Sequence, residues 1–175
     1  MMNKCLTRAL SEDELIILIL SASDYYKSCI ILALSTGLRI SDLLNLKKSY
    51  TLPMFTIIEQ KTRKQINVYI PSWAIKSWFY LCDHSTDPIF LLSVRDKSSY
   101  RRYIKKLAVS LGINPIGVAW HSLRKSSATY IYNSSGIDKA RQFLNHTNLN
   151  STSHYVVKDY SLIDSMLPKL RSVIL

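Results

Sequence analysis

Residues 36–42 read Thr36-Gly37-Leu38-Arg39-Ile40-Ser41-Asp42, and they separate two predicted helices. The helix before them spans Asp24 to Ser35 and is almost entirely apolar from Cys29 to Leu34, which places it in the core. Gly37 is expected to end that helix, because glycine readily adopts the left-handed conformation found at helix C-termini. A short helix follows, with apolar residues at helical spacing: Ile40, Leu43, Leu44 and Leu46.

A helix start and a β-hairpin flank this stretch. Ser11 and Glu14 form a capping box that opens the first helix. Downstream, Met54 to Glu59 has strand character, and residues 66–70 alternate between apolar and polar side chains. The polar segment Lys61-Thr62-Arg63-Lys64 lies between these two runs, which predicts an antiparallel hairpin with a basic turn.

The rest of the chain is predicted to be helical. Helices are expected from Trp73 to about Asp83, from Ser98 to Leu111, from His121 to Asn133, from Ile137 to Leu144, and from near Ser161. We therefore predict a single domain over residues 1–175, mainly α with a small antiparallel β-sheet (α+β), with residues 156–175 as a C-terminal tail or helix. Trp73, Trp78 and Trp120 are expected in its core.

The charge of the chain indicates a polyanionic partner. Its 175 residues include 23 Lys+Arg and 12 Asp+Glu, giving a formal net charge of +11. No acid occurs from residue 97 to residue 137, where seven cations occur: Lys97, Arg101, Arg102, Lys105, Lys106, Arg124 and Lys125. Tyr100 and Tyr103 lie among them, which favours contact with phosphate and sugar over a merely solvated helix face.

Other classes of protein fit the sequence poorly. Three widely spaced cysteines suit neither a disulfide framework nor a zinc site, and they favour a reducing compartment. The apolar run from Leu15 to Leu20 is too short for a membrane span of about 20 residues. We therefore expect no membrane association.

Three further segments carry residues suited to phosphate chemistry. They are Glu59-Gln60-Lys61-Thr62, His121-Ser122-Leu123-Arg124, and His146 followed nine residues later by Tyr155. Together with residues 36–42, in this order and spacing, they resemble the catalytic domain of the tyrosine recombinases, the phage-integrase family, over residues 7–160. The resemblance implies the fold of that catalytic domain.

The resemblance also implies a catalytic set: Arg39, Lys61, His121, Arg124, His146 and Tyr155. Arg39 and Arg124 would bind the phosphate oxygens, because a guanidinium can donate two parallel hydrogen bonds to phosphate and stays charged at any working pH. Tyr155 would attack phosphorus, Lys61 would protonate the leaving 5′ oxygen, and His121 and His146 would bond the phosphate, with His121 also carrying protons. Asp42, three residues after Arg39 on the same side of a helix, would support the site.

The sequence departs from the family pattern in three places. Asn145 replaces the usual glycine before His146, although asparagine tolerates a left-handed backbone. Ser126 and Ser127 stand where bulkier residues are common. Because about ten residues precede the first helix, we expect the N-terminal DNA-clamping domain of most relatives to be missing from this chain. We therefore expect either a fragment of a longer integrase or a minimal stand-alone member.

The implied activity is site-specific DNA recombination through a 3′-phosphotyrosine intermediate, without ATP, metal or other cofactor. The expected partners are double-stranded DNA, three further copies in a tetramer on DNA, and accessory DNA-bending proteins, with a free monomer in the host cytoplasm or nucleoid. The expected DNA-binding residues are Arg63, Lys64, Arg101, Arg102, Lys105 and Lys125.

Three alternatives stay open. A type IB-like topoisomerase or a telomere resolvase would share the phosphotyrosine step, and a DNA-binding protein could retain the fold without catalysis.

The C-terminal tail has an apolar face and would pack either on its own domain or on a neighbouring copy. The face consists of Leu162, Ile163, Met166, Leu167 and Leu170.

Overall fold

The computed structural model describes residues 7–94, 96–145 and 160–174. In chain order its elements are α1 (Glu12–Ser21), α2 (Asp24–Thr36), α3 (Ile40–Leu43), β1 (Met54–Ile58), β2 (Gln65–Tyr69), α4 (Ser72–His84), α5 (Lys97–Ser110), α6 (Trp120–Phe143), α7 (Tyr160–Ser165) and α8 (Pro168–Ile174). The predicted mainly helical fold with one two-stranded antiparallel sheet is confirmed.

Helix α2 forms the centre of the core. Every residue from 28 to 36 is buried, and α2 packs against α4 on one side and α6 on another. Trp73, Trp78 and Trp120 are buried around it, as predicted. Because α2 ends at Gly37, the chain emerges from the core at the start of the 36–42 stretch.

Helix α6 has an internal break. Gly136, with φ 83° and ψ 177°, interrupts the helical conformation between the two segments that the sequence predicts. At the start of α6, the Ser126 hydroxyl accepts a hydrogen bond from Leu10 N (2.8 Å), and Ser127 Oγ donates to Leu34 O (2.8 Å). Small polar side chains at these two positions therefore connect α6 to the N-terminal segment and to α2.

The hairpin projects a basic turn. Phe55 pairs with Val68 and Ile57 with Ile66, and all four side chains are buried. The backbone N of Glu59 donates to Lys64 O (2.9 Å), and Arg63 N donates to Glu59 O (2.9 Å). The predicted turn at 61–64 is thereby closed at its base.

The C-terminal tail packs on its own domain. The sequence predicts one last helix, but the structure has two, because Pro168 lacks the N–H needed to continue α7 and instead begins α8. Helix α8 lies against α1, where Leu170 N donates to Glu12 Oε1 (3.0 Å). Trp73 Nε1 donates to Ile163 O (3.2 Å), which fixes α7 on α4.

Gly37→Ala is expected to destabilise the fold by about 2–5 kcal/mol, combining left-handed backbone strain with overpacking. Gly37 has φ 61°, and an added Cβ would lie 2.5 Å from Phe143 Cε1. The matched control is Gly112→Ala, with φ 70° and nothing within 4 Å, which should cost only the strain, about 1–2 kcal/mol. Urea unfolding measures both, and equal losses would contradict the predicted clash.

No described helix combines the length and the apolar character needed to cross a membrane.

Candidate active site

Arg124 is a buried cation at the start of α6. Only 4% of the residue is exposed, and its Nη1 donates to Gly37 O while its Nη2 donates to Leu144 O (2.8 Å). Burial, together with the nearby charge of Arg39, lowers the pKa of Arg124 to about 10, so it stays charged at neutral pH. The two carbonyls fix the plane of the guanidinium between the end of α2 and the end of α6.

Arg39 lies at the N-cap of α3, where its charge acts on Arg124. It follows Gly37 by two residues, so the turn whose carbonyl holds Arg124 also presents Arg39. Its Nη1 donates to Glu59 Oε1 at 2.5 Å, and 21% of its side chain is exposed. The structure therefore brings the two predicted arginines, from segments 85 positions apart in the chain, to one site.

His121 and Lys61 belong to the same electrostatic cluster. His121 lies in the first turn of α6, three residues before Arg124 and on the same side of the helix. Partial burial lowers the pKa of His121, and the cations Arg124, Arg39, Lys125 and Lys61 lower it further. Lys61 is exposed at the hairpin turn, and it lies close enough to His121 for its charge to lower the pKa of the imidazole.

The shifted pKa of His121 predicts a pH-dependent stability. Since its folded-state pKa lies below the ordinary value of 6.5, the unfolded chain binds the proton more readily as the pH falls through that range. Wild-type stability should therefore decrease from pH 7.5 to pH 5 by more than that of His121→Asn. Urea unfolding of both proteins checks this, and parallel pH profiles would contradict it.

Asp42 lies between Arg39 and the hairpin. Arg39 is the N-cap of α3, and Asp42 N, three residues later, donates to Arg39 O (2.9 Å). Asp42 is buried, and its Oδ1 accepts from Gln60 N (2.8 Å), which fastens the hairpin to α3. The pKa of Asp42 is raised, mainly by burial and also by the charge of Glu59, while the hydrogen bond from Gln60 N offsets part of the rise.

Glu59 is a site residue that the sequence reasoning did not assign. Its side chain is only 2% exposed and contacts Arg39. The available signal was the alternation of β1, because Phe55, Ile57 and Glu59 all point inward. An acid continuing an inward-facing apolar row needs a buried cation as its partner.

The cations of α5 lie on an exposed surface, but one of the interleaved tyrosines does not. Arg101 and Lys105 are exposed, whereas Tyr100 is fully buried and its hydroxyl donates to Val94 O (2.9 Å). The interpretation of Tyr100 as a phosphate or sugar contact is therefore wrong, because its position in α5 faces the core. Tyr103 stacks on Tyr26 with ring centroids 3.6 Å apart.

The other predicted DNA-binding residues have varied surroundings. Arg63 and Lys64 are exposed in the hairpin turn, and Arg63 adopts a positive φ of 58°. Arg102 lies 3.5 Å from Asp96 in an exposed ion pair. Lys125 Nζ donates to Thr7 O (2.7 Å) on the surface beside the start of α6.

Two predicted catalytic residues, His146 and Tyr155, lie outside the described residues. Asn145, just before them, has φ 54°, so it takes the left-handed conformation expected where glycine is usual. Among the residues that the structure describes, His, Cys, Asp and Glu form no group of three suited to a metal ion. The absence of a metal requirement stays a prediction.

Comparison with known proteins agrees with this fold. The chain resembles a probable integrase/recombinase of Acholeplasma phage L2, with 30% identity over 75% of this chain and 48% of that protein. Its fold matches the crystal structure of XerA recombinase with a TM-score of 0.69 and 25% identity, covering 94% of this chain and 65% of that one. It also matches a lambda integrase tetramer bound to a Holliday junction, with a TM-score of 0.66, 16% identity, and coverage of 90% and 51%.

The fold is that of the catalytic domain of a tyrosine recombinase. The family model described as phage integrase matches residues 8–161, and the chain belongs to that family. It spans less than half the length of the curated relatives it matches.

Proposed function

We propose that this chain cleaves and rejoins DNA at specific sites by transesterification through a 3′-phosphotyrosine. The observation that carries the proposal is that Arg39 lies close enough to Arg124 for its charge to lower the pKa of Arg124, while Arg39, Arg124 and Lys61 all act on His121. Two guanidiniums and a lysine concentrate positive charge at one point, and a backbone phosphate carries the complementary charge.

The arginines supply the electrostatic part of the reaction. In the transition state, negative charge grows on the non-bridging phosphate oxygens, and donors fixed in advance stabilise it without reorganising. Arg124 is fixed by the carbonyls of Gly37 and Leu144, and Arg39 is fixed by Glu59. Both guanidiniums are therefore held before DNA arrives.

The proposed proton transfers balance the exchange of bonds. The phenol of Tyr155, whose ordinary pKa is about 10, gives its proton to a base, for which His121 is suited because its lowered pKa favours the neutral imidazole. The tyrosine oxygen bonds to phosphorus as the bond to the 5′ oxygen breaks, and Lys61 protonates that oxygen. The phosphotyrosine ester retains the bond energy, so another 5′ hydroxyl reverses the step without ATP.

The proposed assembly is a tetramer on double-stranded DNA. One structural relative is a lambda integrase tetramer on a Holliday junction, and its catalytic fold matches this chain. The same proposal includes accessory DNA-bending proteins, a free monomer, and a cytoplasmic, nucleoid-associated location, all of which rest on the family resemblance.

Helix α5 is proposed to contribute phosphate contacts. Replacing both Arg101 and Lys105 by Gln should reduce the slope of log affinity against log salt by about 2, one for each lost contact. Both side chains are exposed, so the fold should be unaffected. The control is Lys169→Gln, which removes an exposed cation of α8 that pairs with Asp13 of α1. An equal loss of slope there would contradict the assignment.

The function is tested with the full chain and a duplex nicked close to the target site, so that the short cleaved strand diffuses away. A covalent protein–DNA adduct on a denaturing gel, without metal or nucleotide, is the expected result. Salt-sensitive binding without an adduct would overturn catalysis and leave the non-catalytic DNA-binding alternative. Adduct formation on duplexes of unrelated sequence, together with relaxation of a separate supercoiled plasmid, would instead support a topoisomerase.

A further inference from the structure

Glu59 bonds to two cationic parts of the site, which we call its arms. One arm is Arg39, and the other is the hairpin turn that carries Lys61. Glu59 Oε1 accepts from Arg39 Nη1 at 2.5 Å, and its Oε2 accepts from Thr62 Oγ1, also at 2.5 Å. Thr62 is the immediate neighbour of Lys61 in the hairpin turn. One carboxylate therefore bonds simultaneously to the arginine at the α3 N-cap and to the turn that carries the lysine.

The position of Glu59 makes this connection rigid. The side chain is only 2% exposed, whereas Arg39 is 21% exposed, so the carboxylate lies behind the guanidinium as seen from solvent. Its backbone N and O bond to Lys64 and Arg63, which closes the turn on the same residue. Hydrogen bonds to ionised groups in such partly buried surroundings are shorter and stronger than neutral ones.

We propose that Glu59 is a positioning residue, which orients Arg39 toward the scissile phosphate and, through Thr62, holds the Lys61 turn at the leaving oxygen. This inference rests on the proposed function. A single residue then sets the spacing between the group that stabilises the phosphate and the group that protonates the 5′ oxygen. The carboxylate itself does not touch DNA, since Arg39 stands in front of it.

The two arms are separable by substitution. Thr62→Val removes the hydroxyl that donates to Glu59 and accepts from Lys64 N within the same turn (3.4 Å), so it cuts the arm to Lys61 and leaves the arm to Arg39. Thr62→Ser retains the hydroxyl. Glu59→Ala cuts both arms. Glu59→Gln keeps the side-chain volume and one acceptor oxygen for Arg39, but its NH2 group can only donate to Thr62 Oγ1, and the negative charge is lost from both bonds. The matched control is Thr56→Val in β1, whose hydroxyl donates to Asn67 Oδ1 (3.0 Å) away from Glu59.

The experiment compares single-turnover cleavage of ordinary nicked DNA with cleavage of DNA in which sulfur replaces the scissile 5′ oxygen. A 5′ thiolate leaves without protonation, so this substrate does not need the lysine. Thr62→Val should lose about tenfold on ordinary DNA, the scale of one hydrogen bond to a charged group, and recover to within about threefold on the sulfur substrate. Thr62→Ser and Thr56→Val should match wild type on both.

Glu59→Ala should lose more than Thr62→Val on ordinary DNA and recover only in part on the sulfur substrate, because the Arg39 arm stays cut. Glu59→Gln should show the same pattern with a smaller loss, which keeps the test valid if the alanine variant does not fold.

If the wild-type protein cleaves DNA and both Thr62→Val and Glu59→Gln cleave it at the wild-type rate, the inference is overturned. A Thr62→Val loss that sulfur leaves unchanged would overturn it as well, because a general structural defect slows both substrates equally. A wild type that cleaves neither substrate would overturn the proposed function itself.

Discussion

Tyr155→Phe is expected to abolish the covalent protein–DNA adduct and to leave DNA affinity within about twofold of wild type, since one hydroxyl is a minor part of a phosphate-dominated interface. The substitution removes only the nucleophilic oxygen, and no other group in the proposed mechanism forms a bond to phosphorus. The denaturing-gel assay on nicked DNA measures the adduct, and a mobility-shift assay on the same DNA measures binding.

Other tyrosines provide the controls for this prediction. Tyr160 lies five residues downstream, and its ring packs on Tyr69 with centroids 4.6 Å apart, a contact that Tyr160→Phe preserves. Tyr132 is exposed on α6, so Tyr132→Phe should also be neutral. An adduct that persists in Tyr155→Phe and disappears in one of these variants would assign the nucleophile elsewhere.

Local signals predicted most of the fold. The capping box at Ser11 is present as expected, with Glu14 N donating to Ser11 Oγ (3.1 Å) and Ser11 N donating to Glu14 Oε2 (2.9 Å). Gly37 ends α2 with φ 61°, and the alternation of β2 gives the observed buried face. These features depend on neighbours in the sequence, so the sequence alone defines them.

The missed features depend on contacts between distant segments. Glu59 bonds to Arg39 only because the hairpin folds back onto α3, which no local pattern specifies. Tyr100 lies among cations in the sequence, yet the rotation of α5 against α2 and α6 turns it into the core, where Trp120 meets it edge-on. Motif order located the paired arginines, but the partners that hold them follow from tertiary structure.

The two arginines are held by different kinds of acceptor. Arg39 is paired with a full negative charge on Glu59, while Arg124 bonds to two backbone carbonyls, which carry only partial charge. Two carbonyls fix the direction of the Arg124 guanidinium, and the charges of Glu59 and Asp42 also act on it. We therefore expect the orientation of this guanidinium, as well as its charge, to matter for the reaction.

Arg124→Lys is accordingly expected to reduce the single-turnover cleavage rate by about 100- to 1000-fold, the loss typical of removing one preorganised donor to a developing anion. The lysine keeps the positive charge, but a single ammonium cannot occupy the positions of both Nη atoms, which bond to Gly37 O and Leu144 O. An ammonium that donates to one or both of these carbonyls cannot also present two coplanar donors to the phosphate.

The adjacent residue supplies the control for Arg124→Lys. Lys125→Gln removes a surface charge that lowers the pKa of His121 and whose Nζ donates to Thr7 O. Because solvent screens such a charge, the cleavage rate at saturating DNA should change by less than about threefold. Urea unfolding of both variants separates a catalytic loss from a loss of fold. If a folded Arg124→Lys protein cleaves as fast as Lys125→Gln, the geometry of the guanidinium is not what the site requires, and charge alone accounts for its role.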